Sequence, residues 1–155
     1  MYQAQISTPL GKMIAIGDDN YLYHLDFADQ HQTKWKAPFG RSRTIDSAEK
    51  ELTHYFEGKL KEFKTYLFYS GTSFQQKVWK ALKDIPYGKT CSYLELAEAV
   101  GSPKAYRAVG SANGANSFPI LIPCHRVINS NGCLGGYNCG LERKRWLLNF
   151  ESKVL

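Results

Sequence analysis

No apolar run in this chain approaches the length needed to cross a bilayer, so no membrane partner is expected. The N-terminus, Met1-Tyr2-Gln3-Ala4-Gln5, lacks a basic segment followed by an apolar core, so no secretory leader is expected and the protein is assigned to the cytoplasm. Cysteine is sparse. Cys91, Cys124, Cys133 and Cys139 form no Cys-x-x-Cys and no paired Cys/His spacing, which argues against a zinc site. In a cytosol all four are reduced thiols. His24, His31 and His54 are scattered and read as surface or packing residues. Acidic residues are what the second half has little of. Residues 1–71 carry nine Lys/Arg and nine Asp/Glu, whereas residues 72–155 carry eleven and five, so the whole net charge of +6 sits in the second stretch. A basic excess confined to one part of a chain is the footprint of a polyanion partner, with a solvated basic face as the plainer alternative.

The 155 residues suffice for one domain or two small ones. Residues 2–7, 13–16 and 21–27 read as strands, the last two joined by the hairpin loop Gly17-Asp18-Asp19-Asn20. Residues 29–43 are polar and form a loop. Residues 46–57 predict a helix, with Asp46 as its cap, Glu49 three residues on, and Ala48, Leu52, Tyr55 and Phe56 on one face. Residues 63–69 read as a further strand. This half offers no cluster of reactive side chains and reads as scaffold, with the boundary at Ser70-Gly71-Thr72.

The second half opens with a capping box at Ser73-Phe74-Gln75-Gln76 and a helix presenting Phe74, Val78, Trp79 and Leu82. Ser92-Tyr93-Leu94-Glu95 is another capping box and starts a short helix to about Val100, which Gly101 ends. Ser102-Pro103 then predicts a second helix, capped by Ser102, running to about Asn113 with Tyr106 and Val109 inward. Two short helices around a tight glycine turn form a helix-turn-helix pattern. Apart from Lys104 and Arg107, the outer face of the second helix is small. A helix that reads bases in the major groove carries several long polar side chains, so this one predicts docking without sequence reading, in the minor groove.

The chain is organised around Ile120-Leu121-Ile122-Pro123-Cys124-His125-Arg126-Val127. The apolar run 118–122 reads as a buried strand that Pro123 ends. Cys124 is thus delivered into a turn with an imidazole beside it, the arrangement an activated nucleophile needs. A structural buried thiol is the bland alternative. Gly135-Gly136-Tyr137 lets backbone come close to a neighbour. Residues 142–152 predict a closing helix with Leu141, Trp146, Leu147 and Phe150 as its apolar side.

These segments together resemble the O6-alkylguanine-DNA alkyltransferases. The resemblance spans the C-terminal half and rests on Phe74-Gln75-Gln76-Lys77-Val78-Trp79, Ile85-Pro86-Tyr87-Gly88, Ser92-Tyr93, Pro103-Lys104-Ala105, Arg107-Ala108-Val109-Gly110, Asn113-Gly114-Ala115-Asn116, Ile122-Pro123-Cys124-His125-Arg126-Val127, Gly135-Gly136-Tyr137 and Leu141-Glu142-Arg143-Lys144. It implies an α+β chain: a small sheet-plus-helix, ribonuclease H-like scaffold over residues 1–71, then a mostly helical, winged-helix-like domain with the helix-turn-helix over 72–155. It implies Cys124 as alkyl acceptor, His125 as its base through a water, Glu151 orienting His125, and Asn116 as the hinge to the active-site strand. Tyr93 is implied to crowd the target phosphate and hydrogen-bond the flipped base, and Arg107 to fill the gap the base leaves. Lys104, Ser92, Ala105, Ala108, Ser111 and Arg126 join Tyr93 and Arg107 in the DNA-contacting set. The pocket is implied to use the carbonyls of Cys124 and Val127, Tyr137, and the amide of Asn138. Asn138 and Cys139 depart from the small residues common there, and Cys139 is expected either to narrow the pocket or to offer a second oxidisable thiol. The expected partner is double-stranded DNA bearing alkylated bases, met by a monomer that needs no cofactor and no metal and associates with the nucleoid when bound. The implied activity is single-use transfer from O6-alkylguanine, and from O4-alkylthymine, to Cys124.

Three other readings carry different chemistry. A Cys-His hydrolase needs an oxyanion hole that the sequence does not single out. A damage recogniser has no use for Cys124. A helix-turn-helix regulator needs the long polar side chains that the second helix lacks.

Overall fold

The computed structural model describes residues 1–30 and 33–153. His31 lies outside them. The chain divides into two compact units, Met1–Ser70 and Gly71–Leu155.

In the first unit β1 (Tyr2–Thr8), β2 (Gly11–Gly17) and β3 (Leu22–Phe27) form an antiparallel sheet in the order β1-β2-β3. Thr8 faces Gly11 across the first hairpin, and Met13 faces Phe27 on the other side of β2. The central strand is buried along Met13 to Gly17 because its neighbours cover both edges. Helix α1 (Arg43–Phe56) lays Ile45, Ala48, Leu52 and Tyr55 against β1 and β2, a spacing that keeps one face inward.

Two expectations shift here. The helix begins at Arg43, capped by Ser42, whose hydroxyl accepts from the Ile45 amide at 3.4 Å. Asp46 and Glu49 are not a capping pair, because both carboxylates instead take the Arg41 guanidinium, at 2.8 and 2.7 Å. Residues 63–69 form no strand, only an isolated bridge between Leu67 and Leu22. The amides of Lys64 and Thr65 donate to the Glu51 carboxylate at 2.7 and 2.9 Å, so α1 takes the groups a ladder would have used.

The second unit is helical around one short parallel pair. It comprises α2 (Ser73–Lys83), β4 (Cys91–Ser92), α3 (Tyr93–Ala99), α4 (Tyr106–Gly114), a 3-10 turn (Cys124–Arg126), β5 (Val127–Ile128) and α5 (Leu141–Lys153). Its core joins α2, α3 and α4 through Val78, Trp79, Leu82, Leu96, Ala97, Val109 and Ala112, with the Trp79 indole donating to the Ala112 carbonyl at 2.8 Å. The expected architecture is therefore present, an α+β unit followed by a helical unit with a helix-turn-helix.

Local details differ. The first capping box is Thr72 with Gln75, one residue earlier than the Ser73 box. The Ser92–Glu95 box is as expected. Gly101 turns the chain between α3 and α4 at φ 77°, a conformation without strain for glycine. Helix α4 starts at Tyr106, not at Pro103, and has no side-chain cap. The Ala105 amide bonds to the Ser102 carbonyl at 2.9 Å, so Ser102 to Ala105 make a turn. A proline φ suits the second position of such a turn as well as a first helical residue, so the signal served either structure. Tyr106 is half exposed, and only Val109 of the two expected inner residues is buried.

Candidate active site

The apolar run before Cys124 is buried as expected, but it is not a strand. Residues 118–122 form a compact turn with Ile120 at φ 76°. The Asn116 side chain stands in for the missing sheet partner. Its amide nitrogen donates to the Ile122 carbonyl at 2.9 Å and its oxygen accepts from the Phe118 amide at 2.9 Å. The Ile122 amide closes onto the Phe118 carbonyl at 2.9 Å. A loop buried this deeply is tolerable only when its backbone groups are satisfied in this way. Pro123 then leads into the 3-10 turn that carries Cys124, His125 and Arg126, all buried.

His125 is fully buried, and its Nε2 lies 2.8 Å from Glu151 Oε2, on the inner face of α5. An ionised carboxylate has no proton to give, so Nε2 carries the hydrogen and Nδ1 is the lone-pair atom. Nδ1 is buried with no partner among the described residues. Burial opposes ionisation of Glu151, but His125 and Arg126 outweigh it and hold its carboxyl down to about 2. Burial pushes the His125 imidazole below its ordinary value, Glu151 pulls it back up, and the charges of Arg126 and Lys144 press it down again. The Cys124 thiol is driven by burial up to about 11, against the opposing pull of Asn116, Tyr137, the Lys144 charge and its own amide. The resting group is thus a neutral thiol beside a neutral imidazole.

Around the sulfur stand residues from three segments. Tyr93, at the first position of α3, packs between α4 and the Gly135 loop: a Cβ on Gly110 would lie 3.8 Å from its ring and one on Gly135 3.3 Å. Its phenol is raised by burial and by the neighbouring Cys124, while the Asn113 side chain stabilises the phenolate. Asn113 reaches the Cys124 carbonyl at 3.4 Å. Tyr137 is among the groups that favour the ionised thiol.

In the sequence Lys144 stands only as part of a helix and a motif. It is fully buried in α5, with its ammonium donating to the Val127 carbonyl at 2.6 Å and to the Gly136 carbonyl at 3.0 Å. Burial lowers it to about 8, and the Cys124 thiolate opposes that shift. No sequence signal singles it out: Lys144, Leu147 and Glu151 share a helical face that carries two charges, and only the structure shows that this face is the buried one, while Leu141 of the expected apolar side is exposed. Trp146 and Phe150 stack on each other at 4.9 Å.

Asn138 is exposed, and its side-chain amide donates to the Gly114 carbonyl at the end of α4. Cys139 is buried, with its carbonyl accepting from Arg143 at 3.1 Å. Among the described residues no three His, Cys, Asp or Glu side chains converge as a metal site.

Lys104, Arg107, Ala108 and Ser111 lie exposed along and just before α4, and Ala105 is half exposed, so the expected helix face is open. Two members of the expected DNA-contacting set are buried. Ser92 is buried, and its hydroxyl caps α3 by accepting from the Glu95 amide at 3.0 Å. Arg126 is 5% exposed and donates to Glu151 at 2.8 and 3.0 Å and to the Ile85 carbonyl at 2.7 Å. Three of its five N–H groups are thus taken inside the unit.

A buried thiol, followed in the chain by a buried imidazole paired with a carboxylate, in one unit with an open helix-turn-helix, points to a DNA-binding protein with a nucleophilic cysteine. Residues 73–153 match the profile of the 6-O-methylguanine DNA methyltransferase DNA-binding domain, and residues 1–68 match that of the ribonuclease-like domain of the same proteins. A methylated-DNA–protein-cysteine methyltransferase of Methanosarcina barkeri is 44% identical over 100% of this chain and 99% of its own. The constitutive methylated-DNA–protein-cysteine methyltransferase of Bacillus subtilis is 42% identical, covering 97% of this chain and 94% of that protein. The crystal structure of Mycobacterium tuberculosis OGT in complex with DNA superposes with a TM-score of 0.93 at 41% identity, over 99% of this chain and 94% of that one. The chain belongs to the 6-O-methylguanine DNA methyltransferase family.

Proposed function

We propose that this protein repairs DNA as a methylated-DNA–protein-cysteine methyltransferase, moving the alkyl group of O6-alkylguanine in duplex DNA onto Cys124. The observation that carries the residue assignment is the buried His125–Glu151 pair directly after the buried Cys124, which leaves His125 Nδ1 as an unpartnered lone-pair atom. His125 Nδ1 takes the thiol proton through a water, and Glu151 stabilises the imidazolium that forms. The sulfur attacks the alkyl carbon, an S–C bond forms, and the O6–C bond breaks with its electron pair left on the guanine. That developing charge needs donors, and the Tyr93 phenol and the backbone amide of Asn138 supply them. The carbonyls of Cys124 and Val127 accept from the guanine amine, each retaining a second lone pair beside the contacts from Asn113 and Lys144. The thioether product has no hydrolytic exit, so each molecule acts once.

The target base must leave the stack, at a cost of a few kcal/mol that is smallest for a damaged pair. Arg107 on the exposed face fills the gap, and Lys104, Ala105, Ala108 and Ser111 bring the small-residue face of α4 into the minor groove. The net positive charge of the second half gives phosphate attraction that weakens with salt. Tyr137 walls the pocket and Asn116 couples α4 to the acceptor turn. The first unit is scaffold, the second carries DNA binding and chemistry, and the protein acts as a monomer in the cytoplasm. O4-alkylthymine is a second substrate of the same pocket.

Titration of the protein with a duplex carrying a single O6-methylguanine tests the reading. Repair stops at one lesion per protein molecule, and Cys124→Ala repairs none. Repeated turnover, or repair by the alanine variant, would overturn it.

A further inference from the structure

Arg126 is the part of the site that alkyl transfer leaves without a task. Burying a guanidinium is costly unless its charge is paired and its donors find acceptors, and here the charge meets a carboxylate and three N–H groups are matched. Nε donates to Glu151 Oε1 at 2.8 Å and Nη2 to Glu151 Oε2 at 3.0 Å, the bidentate fork that fixes a carboxylate in its plane. Nη1 donates to the Ile85 carbonyl at 2.7 Å, and the group lies 5.6 Å over the Tyr87 ring. Glu151 Oε2 therefore accepts from Arg126 and from His125 at once. The charged and titratable groups that act on the imidazole are Glu151 and Lys144 from α5, and Arg126 from its own turn, with Cys124 the preceding residue. Tyr87, from the connection between α2 and β4, faces the Arg126–Glu151 pair.

We infer that Arg126 is a positioning residue that sets the basicity of His125 through the carboxylate they share. A buried carboxylate with an imidazole as its only partner draws a proton onto that imidazole. An imidazolium has no lone pair at Nδ1 and cannot receive the thiol proton. With Arg126 in place the Glu151 charge is already matched, so Glu151 orients the ring without protonating it. His125 stays neutral until Cys124 gives up its proton. The inference rests on the proposed acceptor role of Cys124.

The test follows alkylation of Cys124 in the full chain by free O6-benzylguanine, read by intact mass from about pH 5 to about pH 9, for the wild type, Arg126→Met and Arg126→Lys. The free base needs no phosphate contacts, so a DNA role cannot contribute. In Arg126→Met the acid limb moves up by about one pH unit, giving a rate roughly tenfold lower near pH 6 that recovers near pH 9. Arg126→Lys keeps the charge but not the fork, and its limb moves less. A loss equal at every pH would make Arg126 merely structural and overturn the inference. So would an unchanged profile with the free base combined with slower repair of duplex DNA. If Arg126→Met does not fold, the lysine variant and an NMR titration of His125 in the wild type decide. A ring neutral below the ordinary histidine range supports the inference, and a ring titrating in or above that range overturns it. Failure of the wild type to be alkylated at all would sink the acceptor reading instead, before any variant is compared.

Discussion

Replacing Asn116 by alanine should cost stability and chemistry together, and the structure gives the size of the first loss. The side chain makes two hydrogen bonds of 2.9 Å, to the Ile122 carbonyl and from the Phe118 amide. Both residues are buried, so no water replaces the lost partner. A net hydrogen bond contributes about 0.5–1.5 kcal/mol, and a buried group left unpaired costs about 1–3 kcal/mol. The two together give about 2–4 kcal/mol, a fall in Tm of roughly 5–15 °C for a chain of this size. Thiolate formation suffers as well, because Asn116 is among the groups that favour ionised Cys124. Thermal melts followed by circular dichroism measure the first effect, and alkylation by free O6-benzylguanine measures the second. Asn116→Asp sharpens the test. It keeps the acceptor for Phe118 but turns a donor to Ile122 into a repelling oxygen, so it should be no more stable than the alanine variant. A Tm within about 1 °C of wild type for both would refute the argument that Asn116 replaces a sheet partner.

Other outcomes follow from the same geometry. Arg107→Ala should slow repair of duplex DNA while leaving reaction with the free base close to wild type, and equal slowing in both assays would remove Arg107 from the stack. Lys144→Met leaves the Val127 and Gly136 carbonyls without their donor, so alkylation should fall roughly ten- to hundredfold with free base and duplex alike. An unchanged rate with the free base would show that the clamp does not shape the pocket. Glu151 is held at about 2 in the folded protein against about 4.3 unfolded, so its stabilisation is fully present above the unfolded value and fades as pH falls through that window. The gap in urea midpoint between wild type and Glu151→Gln should accordingly narrow from about pH 4.5 to about pH 2, and a constant gap would contradict the pairing.

Much of the fold was legible because it is written in local chemistry. The Ser92–Glu95 box, Gly101 and the small outer face of α4 each announce one feature that a short window contains. The misreadings share a cause too. Asp46, Pro103 and the run at 118–122 carry signals that fit two local structures, and tertiary partners choose between them: Arg41 for Asp46, the Ser102 carbonyl for the Pro103 turn, and Asn116 for the apolar run. At the site, Cys124 and His125 are adjacent in sequence and draw attention by themselves. Glu151 stands 26 residues from His125 and was placed only through resemblance. Arg126 and Lys144 look like surface cations until burial is known, because a sequence shows charge but not what encloses it.

The central claim is that Cys124 is the atom-accepting centre, and intact mass followed by peptide mapping tests it most directly. After incubation with a duplex carrying one O6-methylguanine, the account predicts a gain of a single methylene mass, located on the peptide holding Cys124, with the guanine restored in equal amount. An unchanged mass with tight lesion binding, or a mass gain mapped to Cys91, Cys133 or Cys139, would contradict it.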